Sequence, residues 1–318
     1  MKILIIRFSS IGDIVLTTPA IRCIKQQIPG CEVHFLTKSS FRTVLAKNPY
    51  INKLHLLKKP LAETLADLKA ENFDYVIDLH NNIRTRLIKF KLGVKSSAFN
   101  KLNFRKWLLV NLKVDIMPEK HIVDRYVETA SFLGVKNDGK GLDYFLEQEH
   151  DLITLLPQSH QQYTGLVIGA QHATKRLPTH KLIELCQRIK YPVVLMGGKE
   201  DKERGAEIAA AGGAHDINGC GKFTLDQSAF LVREAQSIIT HDTGLMHIAA
   251  AFNKPITSVW GNTVPQLGMY PYKTDQLKIA EVKGLSCRPC SKIGYKKCPR
   301  GHFKCMNDQD IAAIASGF

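Results

Sequence analysis

Ile238-Ile-Thr-His-Asp-Thr-Gly-Leu-Met-His-Ile-Ala-Ala-Ala251 joins an apolar, β-branched run to a short polar turn and then to an alanine-rich helical pattern. Such a run is a buried strand, and the small residues after the turn open a helix. The amino end of a helix presents unpaired N–H groups and the positive end of a dipole, which suits a phosphate. The same residues also make an ordinary strand–turn–helix with an Asp or Thr cap. The wider chain decides what the turn is for.

The unit repeats outward from it. Lys2–Phe8, Glu32–Thr37, Lys53–Leu57 and Tyr75–His80 read as strands, separated by helical patterns at 13–27, after Ser39 and at 61–70. A helix from His121 to Leu133 closes the first half. The rhythm loosens between Lys136 and Tyr163, where Gly139, Gly141, Pro157 and a polar run mark a linker. It restarts with strands at 164–169, 192–196, 237–240 and 255–260 and helices at 178–190 and from about Asp201. Apolar strands alternating with helices predict parallel sheets covered on both faces. The expectation is an α/β protein of two Rossmann-like domains, residues 1–150 and 151–318, facing a central cleft.

Composition narrows the class. The 318 residues are 44% hydrophobic and 23% charged, a globular balance. No apolar run approaches the roughly 20 residues of a membrane span, and the start, Met1-Lys-Ile-Leu-Ile-Ile6, is too soon followed by Arg7 to be a signal peptide. A cytoplasmic protein without a transmembrane segment is expected. The net charge of +15 is clustered: nine Lys or Arg and no acid between Arg84 and Lys113, and seven more from Lys283 to Lys304. Such clusters suit nucleic acid, an anionic membrane surface or a phosphorylated substrate. Trp107-Leu-Leu-Val110 beside Arg105 and Lys106 favours a membrane-surface role. Polar residues gathered at strand ends favour a small-molecule cleft over nucleic acid.

In parallel α/β sheets, ligands lie beyond the carboxyl ends of the strands. That rule selects the segments 8–15, 79–84, 169–176, 197–201 and 241–247. A Gly-x-Gly-x-x-Gly after the first strand and a Walker lysine motif are both missing, which argues against a dinucleotide-dependent dehydrogenase or a P-loop enzyme. Asp13, after Ser9, Ser10 and Gly12, is either a first-turn capping residue or a general base ionised at neutral pH. Arg7 either holds an anionic acceptor or pairs with Asp13. Lys175 and Thr174 can reach a diphosphate from their loop and, with Asp242, Thr243 and Gly244, make a two-sided clamp. His247 either hydrogen-bonds that phosphate or is a core histidine. Cys287, Cys290, Cys298 and Cys305 form a C-x2-C-x7-C-x6-C pattern that could bind a structural zinc, with His302 as a substitute ligand; reduced structural thiols are the alternative.

Several of these pieces, in this order, resemble glycosyltransferase family 9, the bacterial heptosyltransferases. They are Ile5–Val15 with Thr18-Pro-Ala-Ile21, Phe73–His80 with Arg84, Lys175-Arg-Leu-Pro178, Gly197-Gly198 and Asp242–Ala250. The resemblance implies a GT-B fold that transfers heptose from ADP-heptose, with inversion and without a catalytic metal or other required cofactor. It implies an acceptor that is a lipid-linked, anionic lipopolysaccharide core at the inner membrane surface, where the protein would be peripheral. By the same resemblance, Asp13 is the catalytic base and Lys175 the diphosphate ligand. Thr174, Asp242, Thr243, Gly244 and His247 join the donor site, with Glu200 or Asp201 at the ribose. Arg7, Ser9, Ser10, Gly12, His80, Arg84 and Arg125 face the acceptor. One departure matters: Gln171, His172, Ala173 and Thr174 stand where the family typically carries two adjacent hydroxyl residues. The alternative reading is therefore a related glycosyltransferase with another nucleotide-sugar or another surface-glycan acceptor.

Overall fold

The computed structural model describes residues 1–213 and 215–316. By contacts the chain divides into two units. One comprises Met1–Lys101 with Lys120–Glu147, the other Leu102–Glu119 with Gln148–Phe318.

The first unit carries a five-stranded parallel sheet of β1 (Lys2–Ile6), β2 (Glu32–Lys38), β3 (Lys53–Leu57), β4 (Tyr75–Asp78) and β5 (Lys95–Ala98), in the order β3-β2-β1-β4-β5. The central strand β1 buries Ile3, Leu4, Ile5 and Ile6 completely, as a strand covered on both faces must. Its helices are α1 (Ile11–Val15), α2 (Thr18–Gln27), α3 (Leu61–Ala70), α4 (Ile83–Leu92) and, in the second unit, α5 (Asn103–Trp107), with α6 (Ile122–Glu128) returning to the first. The single helix expected over 13–27 is two. The Thr17 hydroxyl donates to Ile14 O at 2.6 Å, and Pro19 opens α2 in its first turn, where a missing N–H costs nothing. The helix expected after Ser39 is a 3-10 turn, Ser39–Val44, and the one expected over 121–133 stops at Glu128.

The second unit begins with the short α7 (Leu152–Leu155). It carries six parallel strands, β6 (Thr164–Val167), β7 (Val193–Met196), β8 (Asp216–Asn218), β9 (Ser237–His241), β10 (Ile256–Trp260) and β11 (Leu277–Glu281), ordered β11-β10-β9-β6-β7-β8. The helices that follow in the chain are α8 (Thr179–Arg188), α9 (Lys202–Gly212), α10 (Leu225–Glu234) and α11 (Gly244–Ala251). Both sheets reverse strand order once, between β1 and β4 and between β6 and β9. These switch points are where doubly wound sheets open a crevice for ligand.

Residues 102–119, expected within the first domain, pack with the second unit instead. Two contacts explain the exchange. Leu109 joins Val264 and Leu267 in a small apolar cluster, and Lys113 Nζ donates to Pro289 O at 2.7 Å and Cys287 O at 3.3 Å.

In the first unit a buried cation fixes the returning chain. Arg22 of α2 donates from Nε to Asp138 Oδ2 at 2.7 Å, from Nη2 to Gly141 O at 3.0 Å, and pairs with Asp143. Removing the cation strands two carboxylates in a largely dry setting. Arg22→Met should lower unfolding stability by about 3–5 kcal/mol in denaturant titration; a loss below about 1 kcal/mol would mean that the pair does not hold the loop.

Candidate functional site

In the first unit the site grows from the ends of β1 and β4. Arg7, one residue beyond β1, is 9% exposed and spends its guanidinium locally. Nε donates to Ser9 O at 2.8 Å, Nη1 to Leu79 O at 2.7 Å and to the Tyr126 hydroxyl at 3.0 Å, and Nη2 pairs with Asp13 Oδ1 at 2.7 Å. Four of its five N–H groups are thus occupied. Of the two roles the sequence left open for Arg7, this arrangement shows the pairing with Asp13. Ser10 caps α1 and adds two bonds to the other carboxylate oxygen, Oδ2, from its N–H at 3.1 Å and its hydroxyl at 2.8 Å. Burial pushes the Asp13 carboxyl up, but the Arg7 charge and the Ser10 bonds outweigh it and hold the group below the usual carboxylate range. Asp13 is therefore an ionised, aimed carboxylate with a partly exposed side chain.

His80 follows β4 and packs on Phe8, with ring centroids 4.9 Å apart. Its Nδ1 is buried without a hydrogen-bond partner. Burial, with help from the charges of Arg7 and Lys101, lowers it to about 4, so the ring is neutral. Arg84 is exposed and lies over the same Phe8 ring at 5.9 Å. Arg125 is buried against Phe99 at 5.3 Å, donates from Nη2 to Asn100 O, and leaves Nη1 without a partner. The topology thus brings Asp13, Ser9, Ser10, Gly12, His80 and Arg84 to one crevice. Tyr126 escaped the sequence reading; a buried tyrosine in an apolar helix gives no signal until its hydroxyl is seen to accept from Arg7.

In the second unit the corresponding crevice lies beyond β6 and β9. Lys175 Nζ pairs with Asp242 Oδ2 at 2.5 Å, and the Thr263 hydroxyl donates to the same oxygen at 3.3 Å. Thr243 is the cap residue of α11, yet no side chain caps that helix and no acid stands in its first turn. Gly244 and Leu245 remain partly accessible, so the N–H groups there are open to an anion. His247 is buried within α11. His241, read as part of the turn, ends β9 instead: its buried Nε2 accepts from Leu177 N at 2.9 Å.

Two further residues expected at the donor have partners within the protein. Thr174 is 2% exposed, and its hydroxyl both donates to Tyr295 O at 3.2 Å and accepts from Tyr295 N at 2.8 Å. In this arrangement it braces the loop. Asp201 is buried, accepts from Gly198 N at 3.1 Å and pairs with Arg176 at 3.4 Å. A Cβ at Gly169 would stand 2.3 Å from its Oδ2, so glycine is required there to admit the carboxylate. Of the two acids expected at the ribose, the exposed Glu200 is the one left for a ligand. Asn262, after β10, was missed: it is 1% exposed, and both its amide atoms lack partners. Gly261-Asn-Thr263 after an apolar strand was the available signal.

The cysteine-rich tail backs this crevice. Arg288 donates to Gly261 O at 2.6 Å and Thr263 O at 3.0 Å, and Gly294 packs on the His172 side chain. In this arrangement the tail thiols make separate contacts. Cys290 Sγ donates to Cys287 O at 3.0 Å, and Cys287 Sγ lies 3.8 Å from His302 Nε2. Among the described residues, no three ligand atoms of this tail come within 4.8 Å of one another.

The match to known proteins follows this geometry. Residues 62–298 match the model of glycosyltransferase family 9 (heptosyltransferase). Lipopolysaccharide heptosyltransferase 2 of Escherichia coli K12 is 26% identical, covering 83% of this chain and 84% of its own. Two solved structures share the fold. The family 9 glycosyl transferase of Veillonella parvula has a TM-score of 0.81 at 20% identity, covering 99% of this chain and 95% of its own. The E. coli ADP-heptose lps heptosyltransferase II has a TM-score of 0.72 at 22% identity, covering 99% and 98%. With parallel sheets of GT-B type in both units and a match over most of its length, this chain belongs to glycosyltransferase family 9, the heptosyltransferase family, and is a glycosyltransferase.

Proposed function

We propose that the protein moves a heptose from ADP-heptose, with inversion at the anomeric carbon, onto a hydroxyl of an anionic, lipid-linked lipopolysaccharide core. The observation that carries this reading is Asp13, held ionised by Arg7 and Ser10 at the switch point of the first sheet. Asp13 takes the proton of the acceptor hydroxyl as its oxygen attacks the anomeric carbon, and ADP leaves from the opposite face. Charge develops on the departing diphosphate. Lys175 and the uncapped end of α11 are suited to receive it, which gives the reaction its electrostatic stabilisation without a catalytic metal. The diphosphate competes with Asp242 for Lys175, while Glu200 serves the ribose and Asn262 offers its unspent amide. The donor assignment draws support from the E. coli relative, which is named for ADP-heptose.

The acceptor side fits a lipid surface. Helix α4 exposes Ile83 (86%), Leu87 (43%) and Phe90 (79%), spaced along one face, among the exposed cations Arg84, Arg86 and Lys91. A basic helix with an outward apolar stripe binds anionic bilayers through both forces. This reading makes the protein peripheral at the cytoplasmic face of the inner membrane, with the acceptor's anionic groups met by Arg84, Arg125 and His80.

Donor choice is tested by thermal shift with a nucleotide-sugar panel. ADP-heptose at 100 times its Kd should stabilise the protein by about 2.7 kcal/mol, with UDP- and GDP-sugars inert; stabilisation by those sugars and not by ADP-heptose would overturn the donor. For the membrane, Ile83→Asp/Phe90→Asp should weaken sedimentation with phosphatidylglycerol vesicles by at least about 10-fold, since each buried apolar side chain contributes about 1.5–3 kcal/mol. Undiminished sedimentation of that variant would remove α4 from the interface.

A further inference from the structure

We infer that His34, His55 and Glu71 form a binding site for a divalent transition-metal ion, zinc by the chemistry of its donors, remote from the transferase chemistry. The inference is independent of which sugar the enzyme transfers.

The strands create the site. His34 of β2 and His55 of β3 lie on one face of adjacent strands, where Leu36 pairs with His55 and His34 with Lys53. Glu71 reaches them from the residue that ends α3. His34 Nδ1 is 3.0 Å from His55 Nε2 and 3.7 Å from Glu71 Oε2, and His55 Nε2 is 3.9 Å from Glu71 Oε1. Among the described residues, this is the one group of three or more His, Cys, Asp and Glu whose ligand atoms converge. A tetrahedral zinc with ligands at about 2.0–2.2 Å separates them by roughly 3.3–3.6 Å, so the triangle needs to shift by only a few tenths of an ångström.

The surroundings fit the same ion. Both imidazoles are buried, and Phe73 packs edge-on against each, at 5.3 and 6.1 Å. Beyond the ligands, the other nitrogen of His34, Nε2, lies 3.8 Å from the Glu32 carboxylate, which is within reach of becoming an outer-shell partner. Two cations now hold Glu71: Lys2 at 3.3 Å, and Lys53, whose side chain is 57% exposed. An exposed lysine of this kind contributes about 0–1 kcal/mol and can swing into solvent when an ion arrives. Three protein ligands leave a fourth position for water. The cluster lies at the amino-terminal half of β2 and β3, whereas Asp13 follows the carboxyl end of β1. A metal here would tie the end of α3 to the edge strand β3 and its neighbour β2 and take no part in transfer.

The test uses full-length, chelator-stripped protein titrated with Co2+ and Zn2+ in a Cys287→Ser/Cys290→Ser background, so that tail thiols do not compete. One equivalent of Co2+ should bind with visible ligand-field bands and no thiolate charge-transfer band, and Zn2+ should raise Tm. His55→Asn or Glu71→Gln should weaken Zn2+ binding at least about 10-fold while leaving transferase activity intact. Lys53→Met, at an exposed position, should tighten it by removing the competing cation. Unchanged affinity in Lys53→Met together with His55→Asn or Glu71→Gln, or no saturable binding in the parent protein, would overturn the site.

Discussion

The buried guanidinium of Arg7 joins the parts of the first unit that the chemistry needs. One planar group reaches the carbonyl after β4, the hydroxyl of Tyr126 on α6, the carbonyl of Ser9 and the carboxylate of Asp13. Its fixed fork cannot satisfy all four unless those elements stand in one arrangement. The ion pair orients the carboxylate and sets its ionisation at once. In the proposed reaction a carboxylate held below the usual range is a weak base, so it would take the acceptor's proton late in the displacement.

The Lys175 site of the second unit is built differently, from backbone more than from charge. Glycine at 169 lets Asp201 under the loop, Thr174 exchanges hydrogen bonds with Tyr295, and Arg288 ties the carbonyls of Gly261 and Thr263 to the tail. The basic tail therefore acts as a brace for the loop that carries Lys175. Lys113 ties residues 102–119 to that tail through two carbonyls, which is why this stretch leaves the first unit although it falls within the first half of the sequence.

The architecture was legible where strands were buried on both sides. β1, β6, β7, β9 and β10 announce themselves as apolar runs, and the rule for ligand position then selects the loops around Asp13, Lys175 and Asp242. Edge strands other than β3 were not legible: β5, Lys95-Ser-Ser-Ala98, is polar and short because one side faces no partner. Helix α4 was hidden for the opposite reason, since it buries Thr85 and Ile88 and turns its largest apolar side chains outward. At the site, residue types were readable but their partners were not. Nothing in the chain distinguishes an arginine that meets a substrate from one that has spent its donors, or a threonine on a phosphate from one that braces a loop. Those distinctions belong to tertiary hydrogen bonding, which gives Arg7, Thr174 and Asp201 partners within the protein that the sequence does not show.

The central claim is that Asp13 carries the proton while the other unit carries the donor, and one isosteric change separates the two. Asp13→Asn keeps the shape beside Arg7 and Ser10 but removes the base. With ADP-heptose and a core acceptor, the account predicts turnover reduced on the order of 10²–10⁴-fold with donor affinity unchanged. Turnover within a few-fold of the parent enzyme, or a loss explained by weaker donor binding alone, would contradict it.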